Sequence, residues 1–350
     1  MTLSQKLLEI RDAVRSAAAQ SPAPELIPQE LEAAANAYFE RGGKMIRPAL
    51  CVLCAEALGG KDAAARALIP ALAAEYFHLF TLIHDDVIDH DDLRRGGASA
   101  HALARELCGL SDPGERAEVG LAAAILAGDA LVGRAFSLLA GAPGLSDACR
   151  TALVRKLAGD TLPKLASGEA LDTKLSYLPG IPEEATLGYV YQNKTGVLFE
   201  FALYAGACAA LEDVPDEALE NKIRYAAAHI GEAFQLTDDY LGLCASEEAT
   251  GKPALSDIRE GKRTYFVRFA YTKATEEEKA LLDRTLGAPA ASAEDVSAVR
   301  DLLLTYGKDE YLARTAEALK SASVLLDPLP ESDAKHHLFS LFKLMIRRDN

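Results

Sequence analysis

Residues Leu82–Gly96 read LIHDDVIDHDDLRRG, an apolar helical pattern that runs straight into Asp85, Asp86 and Asp89 and then Asp91 and Asp92. On a helix Asp85 and Asp89 are i and i+4, so their carboxylates share one face about one turn apart. Like charges there weaken the helix unless a cation stands between them, and carboxylate oxygens suit a hard divalent ion. The alternative reading is a solvated acidic helix end. The strongly apolar turns from Tyr76 to Ile83 weigh against it, because they predict a buried helix.

A second acidic pair closes another apolar helix. After Ile223–Ala233, the segment Phe234–Gly242 reads FQLTDDYLG and carries Asp238 and Asp239. Facing each other across a bundle cavity, the two clusters would hold several Mg²⁺ ions around a diphosphate. Basic residues recur in glycine-flanked settings: Lys44 and Arg47 in GGKMIRP, Arg94 and Arg95 in LRRG, Lys194 in KTG, Lys252 in TGKP, and Lys262 with Arg263 in EGKRT. Arginine presents a planar fork of donors to phosphate oxygens and lysine a mobile point charge. Any one of them alone reads as a solvated surface charge; the set reads as phosphate recognition.

The chain of 350 residues is 49% apolar and carries 37 basic against 52 acidic residues, a net charge of −15. That balance argues against nucleic acid or an anionic membrane as the main partner and leaves anions to local basic clusters or metal ions. No linker or composition break divides the sequence, which predicts one domain over 1–350. The N-terminal MTLSQKLLEIRDAV has no long apolar run, so no signal peptide is expected. Val119–Ala140 is apolar enough to span a membrane, but Asp129 and Arg134 point instead to a buried helix of a soluble core. Six scattered cysteines suggest a reduced, cytoplasmic protein. Cys51 and Cys54 form a CxxC without a second pair, which favours core packing over zinc.

Strand signals are nearly absent. Helical periodicity and Gly/Pro/Ser/Asp punctuation predict helices near 29–41, 45–59, 62–90, 115–140, 146–173, 184–210, 215–245, 258–272, 292–306, 309–326 and 332–347. The fold class is all-α, with the most apolar helices, 70–88 and 119–140, inside a bundle.

With these landmarks assembled, the sequence resembles the polyprenyl synthetase family, the trans-isoprenyl diphosphate synthases. GGKMIRP, DDVID with LRRG, GEALD at 168–172, KTG at 194–196, and FQLTDD followed by GK and GKRT occur in the family's order, over about residues 35–270. The resemblance implies an isoprenoid synthase fold, a multi-helix bundle around a deep central cavity, as a homodimer. It implies transfer of an allylic diphosphate's prenyl group to isopentenyl diphosphate, while the charge balance and the charges within Val119–Ala140 predict no nucleic acid partner and no stable membrane insertion. Asp85 and Asp89 would ligate two Mg²⁺ ions and Asp238 a third, with Asp86 and Asp239 supporting them through water and hydrogen bonds and Asp239 counted among the metal residues. Lys44, Arg47, His78 and Arg95 would bind isopentenyl diphosphate; Arg94, Lys194, Lys252 and Lys262 the allylic diphosphate. Gln235 and Thr195 would lie beside the reacting carbons, and Asp172 would orient a basic side chain or a metal-bound water.

His78, seven residues before Asp85, shares its helix face; a histidine on an apolar helix otherwise reads as a core residue. His84 points about 100° away from Asp85 and reads as structural. Two features depart from or extend the family pattern. Gly242 stands where many relatives have the last aspartate of the second motif, which predicts weaker metal support. Arg347 and Arg348 could fold over a diphosphate. Phe80 lies five residues before Asp85, roughly 7.5 Å deeper along the helix, with Phe77 continuing the ridge and the smaller Thr81 four residues upstream. In the family that pattern goes with geranylgeranyl diphosphate (C20), with farnesyl diphosphate or C25 and longer products as alternatives. Readings of another class are a terpene cyclase, a His-Asp phosphohydrolase and a non-catalytic partner subunit. The retained Asp238–Asp239 pair and the GGKMIRP block speak against a cyclase, and the keeping of both aspartate clusters against a non-catalytic subunit. His78, His90 and His101 are poorly placed as further ligands for a phosphohydrolase built on His84–Asp85.

Overall fold

A computed structural model describes residues 1–244 and 255–346. The chain folds into two compact units. One comprises Met1–Gly159, Phe201–Asp216 and Pro330–Leu338; the other comprises Asp160–Glu200, Glu217–Leu329 and Phe339–Asn350. The sequence predicts a single domain over the same span.

The first unit is built around α4. In chain order its helices are α1 (Leu3–Ala19), α2 (Gln29–Arg41), α3 (Ile46–Arg66), α4 (Leu68–Ile88), α5 (Ala100–Leu107), α6 (Pro113–Ala140) and α7 (Asp147–Arg155). Every side chain from Pro70 to Phe77 is buried, because α4 is apolar nearly all round and α3 and α6 pack along it. The chain turns by 85° between α3 and α4. Between α4 and α5 the LRRG segment forms a hairpin of two-residue strands, β1 (Leu93–Arg94) and β2 (Gly97–Ala98). Its turn residues Arg95 and Gly96 both have positive φ, 52° and 73°, the geometry that suits a two-residue hairpin. Such short strands leave no alternating pattern to read in sequence.

In the second unit lie α8 (Leu162–Ser176), α9 (Glu184–Tyr191), α11 (Glu217–Cys244), α12 (Ser256–Glu260), α13 (Tyr265–Lys273), α14 (Glu276–Thr285) and α15 (Ala293–Leu326). The helix α10 (Val197–Leu211) and the last helix, α16 (Asp333–Ile346), contribute residues to both units. Two expected continuous helices contain π-helical turns, Lys156–Thr161 between α7 and α8 and Gln192–Gly196 between α9 and α10. Two others, expected at 292–306 and 309–326, are the single helix α15. Gly307 does not break it; it lets Phe266 pack so closely that a Cβ there would stand 2.4 Å from the ring. Sequence periodicity missed α1 and α14, whose polar faces obscure the pattern, although each begins with a complete capping box, Thr2/Gln5 and Thr275/Glu278. It also missed the short α5.

The expectation that α6 is buried in the core needs correction. Only 39% of its most apolar window is buried, and Leu121, Ile125 and Leu126 are 39–54% exposed. Its other face, including Ala124, Ala127 and Leu131, packs on α4 and α5. By length and composition Pro113–Ala140 and Glu184–Leu211 could each cross a membrane, the latter with 83% of its window buried.

Each unit contains a buried tie between a tyrosine and an aspartate. In the first, the Tyr38 hydroxyl donates to Asp86 Oδ2 and accepts the Ala100 N–H at 2.8 Å, joining α2, α4 and α5. In the second, the Tyr191 hydroxyl donates to Asp239 Oδ2 and accepts the Tyr265 N–H at 3.3 Å, joining α9, α11 and α13. Removing either hydroxyl strands a buried carboxylate oxygen and a backbone N–H, which costs about 1–3 kcal/mol. Tyr38→Phe and Tyr191→Phe are therefore expected to lower the melting temperature. Tyr177→Phe, at a residue 85% exposed, is expected to leave it unchanged. Wild-type melting of both buried variants would show that these ties do not hold the helices.

Candidate functional site

The first acidic cluster sits on the last turn of α4. Asp89 caps that helix, its N–H bonded to the Asp85 carbonyl at 2.7 Å, so Asp85 and Asp89 stand one turn apart and partly exposed. Asp86 between them points the other way and is fully buried. Its Oδ2 accepts from Tyr38, and its Oδ1 accepts from Arg94 through Nε at 2.7 Å and through Nη2. Burial pushes the Asp86 carboxyl above its usual range against the pull of Arg94 and Tyr38. Arg94 also reaches Asp91 at 3.4 Å. The residue expected at the allylic diphosphate is thus engaged by two carboxylates, and its first observable role is to hold Asp86. Arg41, which the sequence did not single out, donates to the carbonyls of Arg94 and Ala98 at 3.1 and 2.6 Å and fixes the hairpin.

Around Arg95 lies a second group of residues from the same unit. Arg95 donates to the Tyr38 carbonyl at 2.6 Å. Arg47 Nη1 lies 3.1 Å from His78 Nε2, and the Thr81 hydroxyl donates to the His78 carbonyl at 2.8 Å. Burial, then the charges of Arg47, Arg95 and Arg94, hold His78 well below its usual pKa, so the ring is neutral and accepts from Arg47. Lys44 is exposed at the start of this segment. Further up α4, Phe80 is 8% exposed and packs edge-on between Phe77 at 5.1 Å and His84 at 4.9 Å. His84 Nε2 lies 3.1 Å from the Ile125 carbonyl.

In the second unit, the KTG segment forms the π-helical turn Gln192–Gly196. Such turns re-aim side chains within a helix. Lys194 is gripped by Glu169 at 2.9 Å and Asp172 at 2.7 Å, both from α8. Asp172 therefore orients a basic side chain, and Glu169 of the GEALD segment joins it. Close approach of the two helices requires Gly168, where a Cβ would stand 2.6 Å from the Lys194 backbone nitrogen. Thr195 donates to Gln235 Oε1 at 3.0 Å, and Gln235 Nε2 donates to Asp239 Oδ1 at 3.1 Å.

Asp239, expected among the metal ligands, is 6% exposed, and both its oxygens accept bonds within the fold, from Tyr191 and Gln235. That places it behind the partly exposed Asp238. Burial, with the charge of Asp257 adding, pushes its pKa up to about 8. Lys262 lies 3.1 Å from Glu260 and 3.6 Å from Asp257. Lys194, Gln235, Asp239, Asp257 and Lys262 line a cavity of about 60 Å³. At Gly242, read as a departure from the family's second motif, a Cβ would stand 3.3 Å from Asp257 Oδ2. A carboxylate from α12 already occupies the neighbourhood that a longer side chain at 242 would enter. Lys252, Arg347 and Arg348 lie outside the described residues.

Among the described residues no three His, Cys, Asp or Glu groups converge as a closed metal cage. The donor set nevertheless fits Mg²⁺, which binds through one or two carboxylates and completes its shell with water and phosphate oxygens. Asp85 with Asp89, and Asp238 backed by Asp239, are carboxylates of that kind. Tyr38, Tyr191, Glu169, Asp257 and Glu75 were not found by sequence reasoning. No local pattern marks the two clamping tyrosines, because each lies 48 residues before its buried aspartate.

Comparison with known proteins agrees with these landmarks. The Polyprenyl synthetase family model matches residues 28–303. A short chain isoprenyl diphosphate synthase from Methanothermobacter thermautotrophicus is 34% identical over 329 residues, covering 93% of each chain. A geranylgeranyl diphosphate synthase from Methanosarcina mazei is 33% identical over 324 residues, covering 92% of this chain and 91% of that one. Among solved structures, a geranylgeranyl pyrophosphate synthase from Corynebacterium glutamicum, complexed with isoprenyl diphosphate and magnesium, superposes with a TM-score of 0.80. It is 27% identical, and the match covers 99% of this chain and 98% of that one. With both aspartate clusters, the KTG turn and the arginine hairpin in place, the chain belongs to the polyprenyl synthetase family.

Proposed function

We propose that this chain is a Mg²⁺-dependent trans-prenyltransferase that extends an allylic diphosphate with isopentenyl diphosphate and yields chiefly geranylgeranyl diphosphate. The observation that carries the reading is the division of labour within each acidic pair. One carboxylate is buried and bonded to a tyrosine, while its neighbour, Asp85 or Asp238, remains partly exposed. The buried member is satisfied within the fold, which leaves the partly exposed carboxylate of each pair as an oxygen donor suited to a hard divalent cation.

Asp85, Asp89 and Asp238 are the residues that would hold about three Mg²⁺ ions. Bound metal would neutralise the leaving diphosphate and so ease rupture of the allylic C–O bond. Lys194 and Lys262, with Lys252, bind the allylic diphosphate; Lys44, Arg47, His78 and Arg95 bind isopentenyl diphosphate. Thr195 and Gln235, bonded to each other, line the path of the reacting carbons. As the C–O bond breaks, the double bond of isopentenyl diphosphate forms the new C–C bond. The proton lost from the adjacent carbon goes to the departing diphosphate, so no side chain need act as a dedicated base. An apolar surround would keep water from the electron-poor carbon.

A C20 product is supported by Phe80, held edge-on by its two neighbours, and by the C20 names of related proteins. A homodimer is supported by the exposed apolar stripe of α6, which an identical copy would cover.

Chelation with EDTA is expected to abolish condensation, and Asp85→Ala or Asp238→Ala to lower kcat by about 100-fold or more. Steady-state assays at saturating substrates check this; turnover near wild type in either variant would remove the metal assignment. Phe80→Ala is expected to lengthen the products by one or two C5 units with turnover retained. If Phe80 is only packing, truncation leaves product length unchanged and costs about 3–5 kcal/mol of stability. Chromatography of the products beside a melting curve separates the two.

A further inference from the structure

Beneath the arginines of the GGKMIRP and LRRG segments lies Glu75, an acidic residue outside both aspartate clusters. It sits on α4 one turn before His78 and is 1% exposed. Its Oε1 is 3.8 Å from Arg95 Nη2. Its Oε2 is buried and, among the described residues, has no hydrogen-bond partner. Burial raises the Glu75 carboxyl above its usual range, against the pull of Arg95 and Arg47, so both arginines are electrostatic neighbours. A buried carboxylate with an unsatisfied oxygen destabilises a fold, and in a hydrophobic helix such as α4 an apolar side chain would pack at lower cost. The surroundings also accommodate Arg95. A Cβ at Gly43 would stand 2.7 Å from its guanidinium, and the Tyr38 carbonyl holds its other arm at 2.6 Å.

We propose that Glu75 is a positioning residue of the isopentenyl diphosphate subsite, the buried counter-ion that holds Arg95 before the substrate arrives. This rests on the reading of Arg47 and Arg95 as isopentenyl diphosphate ligands. An arginine pinned from below keeps its donors in place for a diphosphate and loses less freedom when it binds one.

The charge of Glu75 also opposes a diphosphate directly, and this competing effect sharpens the test. Removing the carboxylate makes the subsite more positive, which by itself tightens anion binding. A rise in KM on neutralisation in a variant that melts like wild type therefore runs against the electrostatic effect and reports lost positioning. The experiment measures KM for isopentenyl diphosphate and for farnesyl diphosphate in full-length Glu75→Leu and Glu75→Gln, with melting temperature as the fold check. Arg47→Ala is measured in parallel. Glu75→Leu is expected to raise KM for isopentenyl diphosphate about tenfold with less than about a twofold change for farnesyl diphosphate. Glu75→Gln, which keeps an acceptor for Arg95, is expected to rise less and serves if the leucine variant does not fold. An unchanged or lower KM for isopentenyl diphosphate in either folded variant overturns the proposal. If Arg47→Ala separates the two substrates and the Glu75 variants do not, the proposal fails alone. If Arg47→Ala does not separate them, the subsite reading fails and the proposal with it.

Discussion

Two buried carboxylates, Asp86 and Asp239, impose the constraint on which much of the structure depends. A carboxylate removed from water costs several kcal/mol unless donors surround it, so helices distant in sequence must bring those donors to it. For Asp86 they are Tyr38 from α2 and Arg94 from the hairpin; for Asp239 they are Tyr191 from α9 and Gln235 from its own helix. Each tyrosine in turn accepts a backbone N–H at the start of a following helix, Ala100 in one unit and Tyr265 in the other. The same solution therefore appears in each unit, and in each it holds a partly exposed aspartate next to the buried one.

The cations show a related pattern. Lys194 meets Glu169 and Asp172, Lys262 meets Glu260 and Asp257, and Arg94 meets Asp86 and Asp91. In a chain of net charge −15 these three basic groups, read as phosphate ligands, are held by acidic ones. On that reading an arriving diphosphate would meet side chains already ordered, and binding would exchange one anionic partner for another instead of ordering mobile lysines from solvent. The Lys194 pairings also give the π-helical turn a purpose, since the turn and the α8 carboxylates together fix where that ammonium points.

Local patterns made most helices and the two clusters legible in the sequence. The i, i+4 spacing of Asp85 and Asp89 and the apolar run before them carry their own geometry, as does the FQLTDD helix end. Tyr38 and Tyr191 were invisible because their partners lie 48 residues away and no periodicity links them. The LRRG hairpin was missed because two-residue strands have no alternation. Gly307 was read as a break because glycine usually punctuates a helix; its real constraint, the Phe266 ring, is tertiary. The surface stripe of α6 was read as core for a similar reason, since hydropathy alone does not say whether an apolar face meets its own chain.

The most direct measurement is chain-length analysis of the products formed from labelled isopentenyl diphosphate with dimethylallyl, geranyl or farnesyl diphosphate and Mg²⁺. The account predicts that every starter is extended and that the C20 diphosphate accumulates. Failure to extend any of the three, or release of a hydrocarbon that has lost its diphosphate, would contradict it.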